Sequence, residues 1–408
     1  MSWPVARLGE LLRIEHGFAF KGEHFSEHGA LVVLTPGNFH EAGGFRARPG
    51  KDRSYTGAFP ERYVLKHNDL IVAMTEQGEG LLGSAALIPE PDRYLHNQRL
   101  GLVREHAVRA DRRFLYYLFN TPIVREQIRN SCSGAKVRHT SPERIYRVEA
   151  PVPEPREQRK IAAILSAYDD LIANNQRRIA LLETMAEEIY REWFVRRRIR
   201  RENGARAAGW SDRRFDELCE FAKGRTPNDV LQSPTDGALP YLSADVLDGN
   251  DAAAWVVARR RDVLAAEGDV VMLMDGARSG AVFRATAGVV GSTAALVKTA
   301  PVFRNVVFEY LRAMHDVVVW NNTGSAIPHA NKDFIHRMLL RVPEDEHVLR
   351  HFNELYDPIS SQTRSLRLAN AQLRRVRDSL LPRLISGKLR VDHLDIRLPP
   401  SMQAEATT

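Results

Sequence analysis

Two stretches of this chain carry the same apolar register, and a fold that left either unpaired would expose a long greasy stripe. The first runs Ile161, Leu165, Tyr168, Ile172, Asn175, Ile179, Leu182, Ala186, Ile189, Trp193, and the second Val348, Phe352, Leu355, Ile359, Gln362, Leu366, Ala369, Leu373, Val376, Leu380. Each member of the second lies 187 positions after its counterpart, the lone polar pair Asn175 and Gln362 included. Steps of four and three residues alternate, which is the a/d seam of a coiled coil. Burying the stripes against each other predicts two spacer helices of roughly 50 Å at ~1.5 Å per residue. Either direction is sterically possible, and antiparallel packing, which gives a pseudo-twofold axis, is the expectation. Asn175 and Gln362 then fall near the middle, where a buried amide pair fixes register at some cost in stability.

The duplication extends beyond the helices. Trp3 to Leu8 opens the first half as Trp210 to Phe215 opens the second, and Lys21 is answered by Lys223. Asn68 to Met74 matches Gly268 to Met274, Ser133-Gly134 matches Thr323-Gly324, and Val152-Pro153 matches Val342-Pro343. The reading is of two mixed α/β (α+β) modules with pseudo-twofold symmetry, each leading into a long helix. The divisions are a first module at 1–154, a central helix at 155–196, a linker at 197–209, a second module at 210–343, a distal helix at 344–386 and a tail at 387–408, disordered after about 398. Strands are expected at Leu31–Leu34, Leu70–Met74, Val270–Met274 and Gly288–Val290, with Gly78, Gly80 and Gly83 punctuating a loop after the second of these. Helices are expected from Phe114 through Ile128 and near Val306–Val319. The distal helix is expected to stop at Leu381-Pro382, with Gly387 beyond.

A chain of 408 residues with 44% apolar content can bury two ordinary cores. It has no run of 18 apolar residues and no apolar leader, so neither a membrane span nor a signal peptide is expected. Cys132 and Cys219 lack CxxC company, which argues against a disulfide framework or zinc cage and fits a reducing cytoplasm. The net charge of +7 admits a polyanionic partner. Arginine carries most of the positive charge and suits bidentate contacts to phosphate and guanine edges, although GC-rich coding produces the same bias. The linker run from Arg196 through Arg200 and Arg201 reads as a solvated stretch.

Catalytic signatures are missing from the sequence. There is no Asn/Asp-Pro-Pro-Tyr/Phe motif, no Phe-x-Gly-x-Gly loop, no Walker A and no Glu-x-Lys element. His24 and His28, like His347 and His351, have i,i+4 spacing but no HExxH arrangement. No catalytic residue, metal or cofactor of its own is therefore expected.

Pro151-Val152-Pro153, then Glu157-Gln158-Arg159-Lys160-Ile161 and the helix through Glu192-Trp193-Phe194, resemble the specificity subunits of type I restriction-modification systems. Ser379 to Leu389 is similar to that family's C-terminus, and Phe18 to Lys21 and Gly224 to Pro227 resemble entry motifs of its target recognition domains. The distal copy departs at Glu344-Asp345-Glu346-His347, where an EQ-like start is expected. The resemblance implies a non-catalytic, cytoplasmic DNA-binding subunit whose two modules read the halves of a bipartite site on double-stranded DNA. It implies that the helices hold the modules apart and dock two modification subunits, which carry S-adenosylmethionine, and that ATP- and Mg-dependent restriction subunits join. A self-contained methyltransferase or nuclease with unrecognisable motifs is one alternative, and a scaffold binding only protein is another.

Base reading needs polar side chains on loops and helix starts, with Arg and Lys on phosphates. The candidates are Lys21, Asn38, Thr75, Gln77, Arg99, Lys136 and Arg138 in the first module, and Arg225, Ser243, Arg278, Ser279, His329 and Lys332 in the second.

Overall fold

Apolar runs bounded by turn formers fold into the same antiparallel sheet twice. One sheet orders the strands Leu12–His16, Leu100–Glu105, Leu70–Ala73 and Ala85–Leu87. The other orders Cys219–Lys223, Ala294–Thr299, Val270–Leu273 and Val282–Arg284. The strands Leu70–Ala73 and Val270–Leu273 are buried along their whole length, which explains why both read as continuous apolar runs rather than alternating ones. Each is entered through a left-handed residue, Asn68 at φ 61° and Gly268 at φ 80°. Asn and Gly are the residues that tolerate this conformation. The next residue closes the turn: Asp69 Oδ2 accepts from Lys66 N, and Asp269 Oδ2 from Ala266 N, both at 2.8 Å.

The structure is a computed structural model, and it describes residues 3–77, 80–199, 209–249, 252–324 and 326–405. Gly78 and the linker arginines Arg200 and Arg201 lie outside the described residues. The chain divides into two units, Met1–Leu171 with Arg374–Thr408, and Ile172–Leu373. Each long helix belongs partly to both units. In the first unit Val5–Arg7 pairs with Glu149–Pro151, and in the second Trp210–Arg214 pairs with Leu339–Pro343, so the ends of each module meet. The helical stretch expected near Val306–Val319 is two helices, Arg304–Ala313 and His315–Trp320.

The first long helix, Pro155–Tyr190, starts with proline, whose missing N–H costs nothing at that position. Gln158 is fully buried at this start. Its Oε1 accepts from Asp111 N, and its Nε2 donates to Arg109 O and Pro153 O, each at 2.9 Å. That triple tie accounts for a Glu-Gln helix start. At the distal start Asp345 accepts from His347 N within its own turn, at 3.1 Å.

The helices pair antiparallel within each unit. In the first, Ile161 and Leu165 share a core with Leu384 and Ile385, and Arg377 bonds Asp169. In the second, Asn175 Nδ2 donates to Asn370 Oδ1 at 2.9 Å, Arg367 bonds Glu183, and Phe194 meets Phe352 with ring centroids 4.9 Å apart.

The distal seam differs from the expectation. Along Glu346–Ile385, Leu355, Gln362 and Val376 are exposed, whereas Leu349, Phe352, Tyr356, Asn370 and Leu384 are buried. Val348, Phe352, Ile359, Leu366, Leu373 and Leu380 keep their places and Ala369 is half-buried, but at Leu355, Gln362 and Val376 the seam moves one residue on, to Tyr356, Thr363 and Arg377. The buried amide partner of Asn175 is therefore Asn370 and not Gln362. Both choices satisfy the 3-4 spacing, and only the partner surface selects between them. Ile161, Leu165, Ile172 and Ala186 of the first helix are buried, while Tyr168, Ile179, Leu182, Ile189 and Trp193 are half-buried.

Two further expectations are corrected. Pro382 does not end the distal helix, since losing one backbone hydrogen bond near a terminus is tolerable, and the helix continues to Ile385. Gly387 then turns the chain at φ 76°, and a Cβ there would come within 3.0 Å of the Trp3 ring. From there to Met402 the chain packs on the first unit, against the expectation of a disordered tail after about 398. Val391 and Met402 are buried, Lys160 Nζ donates to Asp392 O at 2.8 Å, and Ser401 N donates to Asp170 Oδ2 at 3.1 Å.

Candidate nucleic-acid interface

One methionine in each unit gathers three segments through its backbone. Met74 N donates to Arg99 O at 3.1 Å, and Met74 O accepts from Thr140 N at 3.0 Å. Met274 N donates to Thr293 O, and Met274 O accepts from Ala330 N, both at 2.7 Å. The loop after the central strand therefore meets two other connections at the same sheet end in both units.

In the first unit this convergence assembles Thr75, Gln77, Arg99, Lys136 and Arg138. Thr75–Glu76 pairs with Arg138–His139, placing Arg138 opposite Glu76 and His139 opposite Thr75. Thr75 itself is buried, with Oγ1 3.2 Å from His139 Nδ1, so it supports the strand pair and does not face solvent. Arg138 Nη1 is 3.7 Å from the buried Glu76 carboxylate, whose other oxygen accepts from Leu81 N and Leu82 N at 2.8 and 2.7 Å. Gln77, Arg99 and Lys136 are exposed. The loop is fastened underneath by Arg125, which donates to Leu82 O at 2.9 Å, Glu41 O at 3.0 Å and Gly80 O. Burial lowers the pKa of this guanidinium to about 10.

Lys21 and Asn38 are not part of this cluster. Lys21 is exposed and precedes the turn Gly22–His24. Asn38 is buried and fully used: its Oδ1 accepts from Thr35 N at 2.9 Å and its Nδ2 donates to Asp52 Oδ1 at 2.8 Å. Asn38 is thus corrected to a turn-forming residue. Its loop position was readable from the sequence, but the packing over that loop was not.

In the second unit His329 lies beside Asp275, with Nδ1 to Oδ1 at 2.8 Å, and Lys223 Nζ bridges the other oxygen at 2.8 Å. Burial pulls the Asp275 carboxyl up, but the hydrogen bonds from Lys223 and His329 outweigh it, and its pKa ends below the usual carboxylate value. Arg278 pairs with Asp248, whose hydrogen bond raises the guanidinium further. Arg225 is exposed just past Gly224, and Lys332 begins the helix Lys332–Arg337. Ser279 is corrected: it is 2% exposed and its Oγ accepts from Asn322 Nδ2 at 2.7 Å. Ser243 caps the helix Ala244–Leu247, accepting from Val246 N at 3.4 Å.

The repeat also needs one shift. His16 pairs with Gly101 and Lys223 with Ala295, so the structural counterpart of Lys223 is His16 and not Lys21. The glycines that follow confirm the match. A Cβ on Gly17 would lie 2.2 Å from the Asn97 carbonyl, and one on Gly224 2.2 Å from Val290 O. Only glycine permits such close passage of two backbones. Sequence reasoning also missed His139, the counterpart of His329. The signal was present, because Ser133-Gly134 and Thr323-Gly324 are each followed by a histidine at the same interval.

Among the described residues no three His, Cys, Asp or Glu side chains are grouped to hold a metal ion, and no helix is long and apolar enough to cross a membrane. Residues 2–184 match the family model described as the type I restriction modification DNA specificity domain. The chain is 24% identical over 305 residues to the type I restriction enzyme MjaIX specificity subunit of Methanocaldococcus jannaschii, spanning 69% of this chain and 70% of that one. A second relative there, the MjaVIII specificity subunit, is 23% identical over 168 residues, covering 39% and 40% of the two chains. The fold is similar to the crystal structure of a type I restriction-modification S subunit from M. genitalium, with TM-score 0.61 and 14% identity over 94% of this chain and 96% of that one.

Proposed function

We propose that this chain, whose residues 2–184 match the type I restriction modification DNA specificity domain, is a member of that family and reads a bipartite site on double-stranded DNA. Residues 1–154 and 210–343 act as the two target recognition domains, one per half-site. The observation that carries this reading is the repeated convergence at Met74 and Met274, which in each unit gathers basic and polar side chains on connections. Connections held by a rigid sheet are where sequence-reading groups can differ without disturbing a core. Exposed Arg99, Lys136 and Arg225 suit phosphate contacts, which position the protein, while Gln77 and His329 suit base edges, which specify.

In this reading the chain is the non-catalytic member of a cytoplasmic complex. Its paired helices set the interval between half-sites and dock two modification subunits. Those subunits supply S-adenosylmethionine chemistry, and restriction subunits supply ATP- and Mg-dependent cleavage. The relatives named specificity subunits support this division of labour. The test is to insert one heptad into each long helix and map methylated sites in a host carrying the system. The expected result is a longer interval between two unchanged half-sequences. Altered half-sequences, or methyl transfer by the purified chain alone, overturn the reading.

A further inference from the structure

Trp320 is 90% exposed at the end of the helix His315–Trp320. Val317 and Val319 on the same helix and Ile327 on the connection that follows are exposed as well, at 40%, 42% and 57%. Val318 alone among these apolar residues is buried, over Gly280. Clustered apolar side chains in water mark a contact surface when the fold has no need of them. The first unit does without it: three residues before the matching bridge Ser133–His139 it carries Asn130, where the second has Trp320 before Thr323–His329.

The chain leaving Trp320 runs straight into the convergence of connections. Asn322 donates to Ser279, Thr323 bridges His329, and His329 bonds Asp275. Among the described residues Arg225 and Lys332, on neighbouring segments, have no ion-pair partner and can meet phosphate, whereas Lys223 and Arg278 are already paired with Asp275 and Asp248. Asp333, beside Lys332, is an exposed carboxylate. Asp316, at the start of the helix, is an exposed carboxylate.

We infer that Trp320, with Ile327 beyond it, is an apolar finger that seats against the bases of the DNA read by the second unit, giving that unit a specificity contact the first lacks. The inference rests on the DNA-reading function proposed above. An indole entering a groove reads how easily a base step opens, so the second half-site should contain a pyrimidine–purine step, which unstacks readily. The contact displaces no counterion, so it leaves the salt dependence of binding unchanged, unlike a lysine or arginine on phosphate.

The test uses the full chain assembled with its modification subunits, as wild type, Trp320→Ala and Trp320→Phe, in binding selections from random duplex pools at two salt concentrations. Trp320→Ala should bind the wild-type site about tenfold more weakly, the scale of one aromatic–base contact. It should also lose preference at one step of the second half-site, with the salt slope and the first half-site unaltered. Trp320→Phe should retain most of the preference. An Ala variant that selects the same sequence with the same affinity overturns the inference while leaving the DNA-reading function intact. Weakened subunit assembly with unchanged DNA affinity overturns it too, and assigns the finger to a protein partner. A wild-type complex that enriches no sequence sinks both.

Discussion

The loop after the central strand is braced differently in the two units, although it leaves the sheet at the same point. In the first unit it closes ten residues on, where Gly83 N donates to Ala73 O, and in the second seven residues on, where Gly280 N donates to Leu273 O, both at 2.8 Å. The longer loop is held by the buried Arg125, which satisfies three carbonyls. At the corresponding place in the second unit His315 Nδ1 lies 3.2 Å from the single carbonyl of Gly280, and the remaining support comes from Asn322 on Ser279 and from His329 on Asp275. The comparison teaches that the sheet dictates where the loops emerge, while the brace changes with the loop. Such freedom suits the proposed reading of two unlike half-sites.

What the units share should fail hardest. Ile172 is 6% exposed in the helix pairing, and Ile172→Asp would bury a charge without a partner, at a cost of about 3–5 kcal/mol. Chemical denaturation of the full chain checks this, and a loss under about 1 kcal/mol would contradict a buried seam. Ile359→Asp should cost less, since that residue is only half-buried.

The braces come next. Arg125→Met leaves the carbonyls of Leu82, Glu41 and Gly80 without their donor and should cost about 1–3 kcal/mol. Amide exchange at residues 80–83 should accelerate. His315→Met removes one contact and should cost about 0.5–1.5 kcal/mol. Equal losses would erase the distinction between the loops.

The smallest effect concerns pH. The folded pKa of Asp275 is depressed, so the stability it contributes is present above the unfolded carboxylate value of about 3.9 and is lost as pH falls through the lower folded value. Amide exchange at 275–280 should rise in that acidic window, and Asp275→Asn should remove the dependence. Thr75 stands at the matching place in the first unit, where the nearby carboxylate is instead that of Glu76 on the next residue. An acid dependence at 275–280 that survives Asp275→Asn would break the assignment.

Much of the fold was legible because local chemistry imposes it. The central strands are uninterrupted apolar runs, Asn68 and Gly268 sit where a left-handed turn is required, and the helices carry a sustained heptad pattern. The candidate interface was less legible. Asn38, Thr75 and Ser279 are polar residues on loops or short strands, yet each is buried against a hydrogen-bond partner supplied by a distant segment. Polarity in a sequence does not distinguish a side chain reaching for DNA from one closing a turn.

The sequence by itself determined that two like modules are joined by two long amphipathic helices, because spacing and apolar burial act over a few turns of chain. Tertiary structure alone decided that Asn175 meets Asn370, that alternate positions of the distal seam move one residue on while the others keep their places, and that the C-terminal segment packs on the first unit. Those outcomes depend on which surface arrives opposite. A heptad pattern admits more than one stripe, and only the partner helix, filling the available volume, chooses between them.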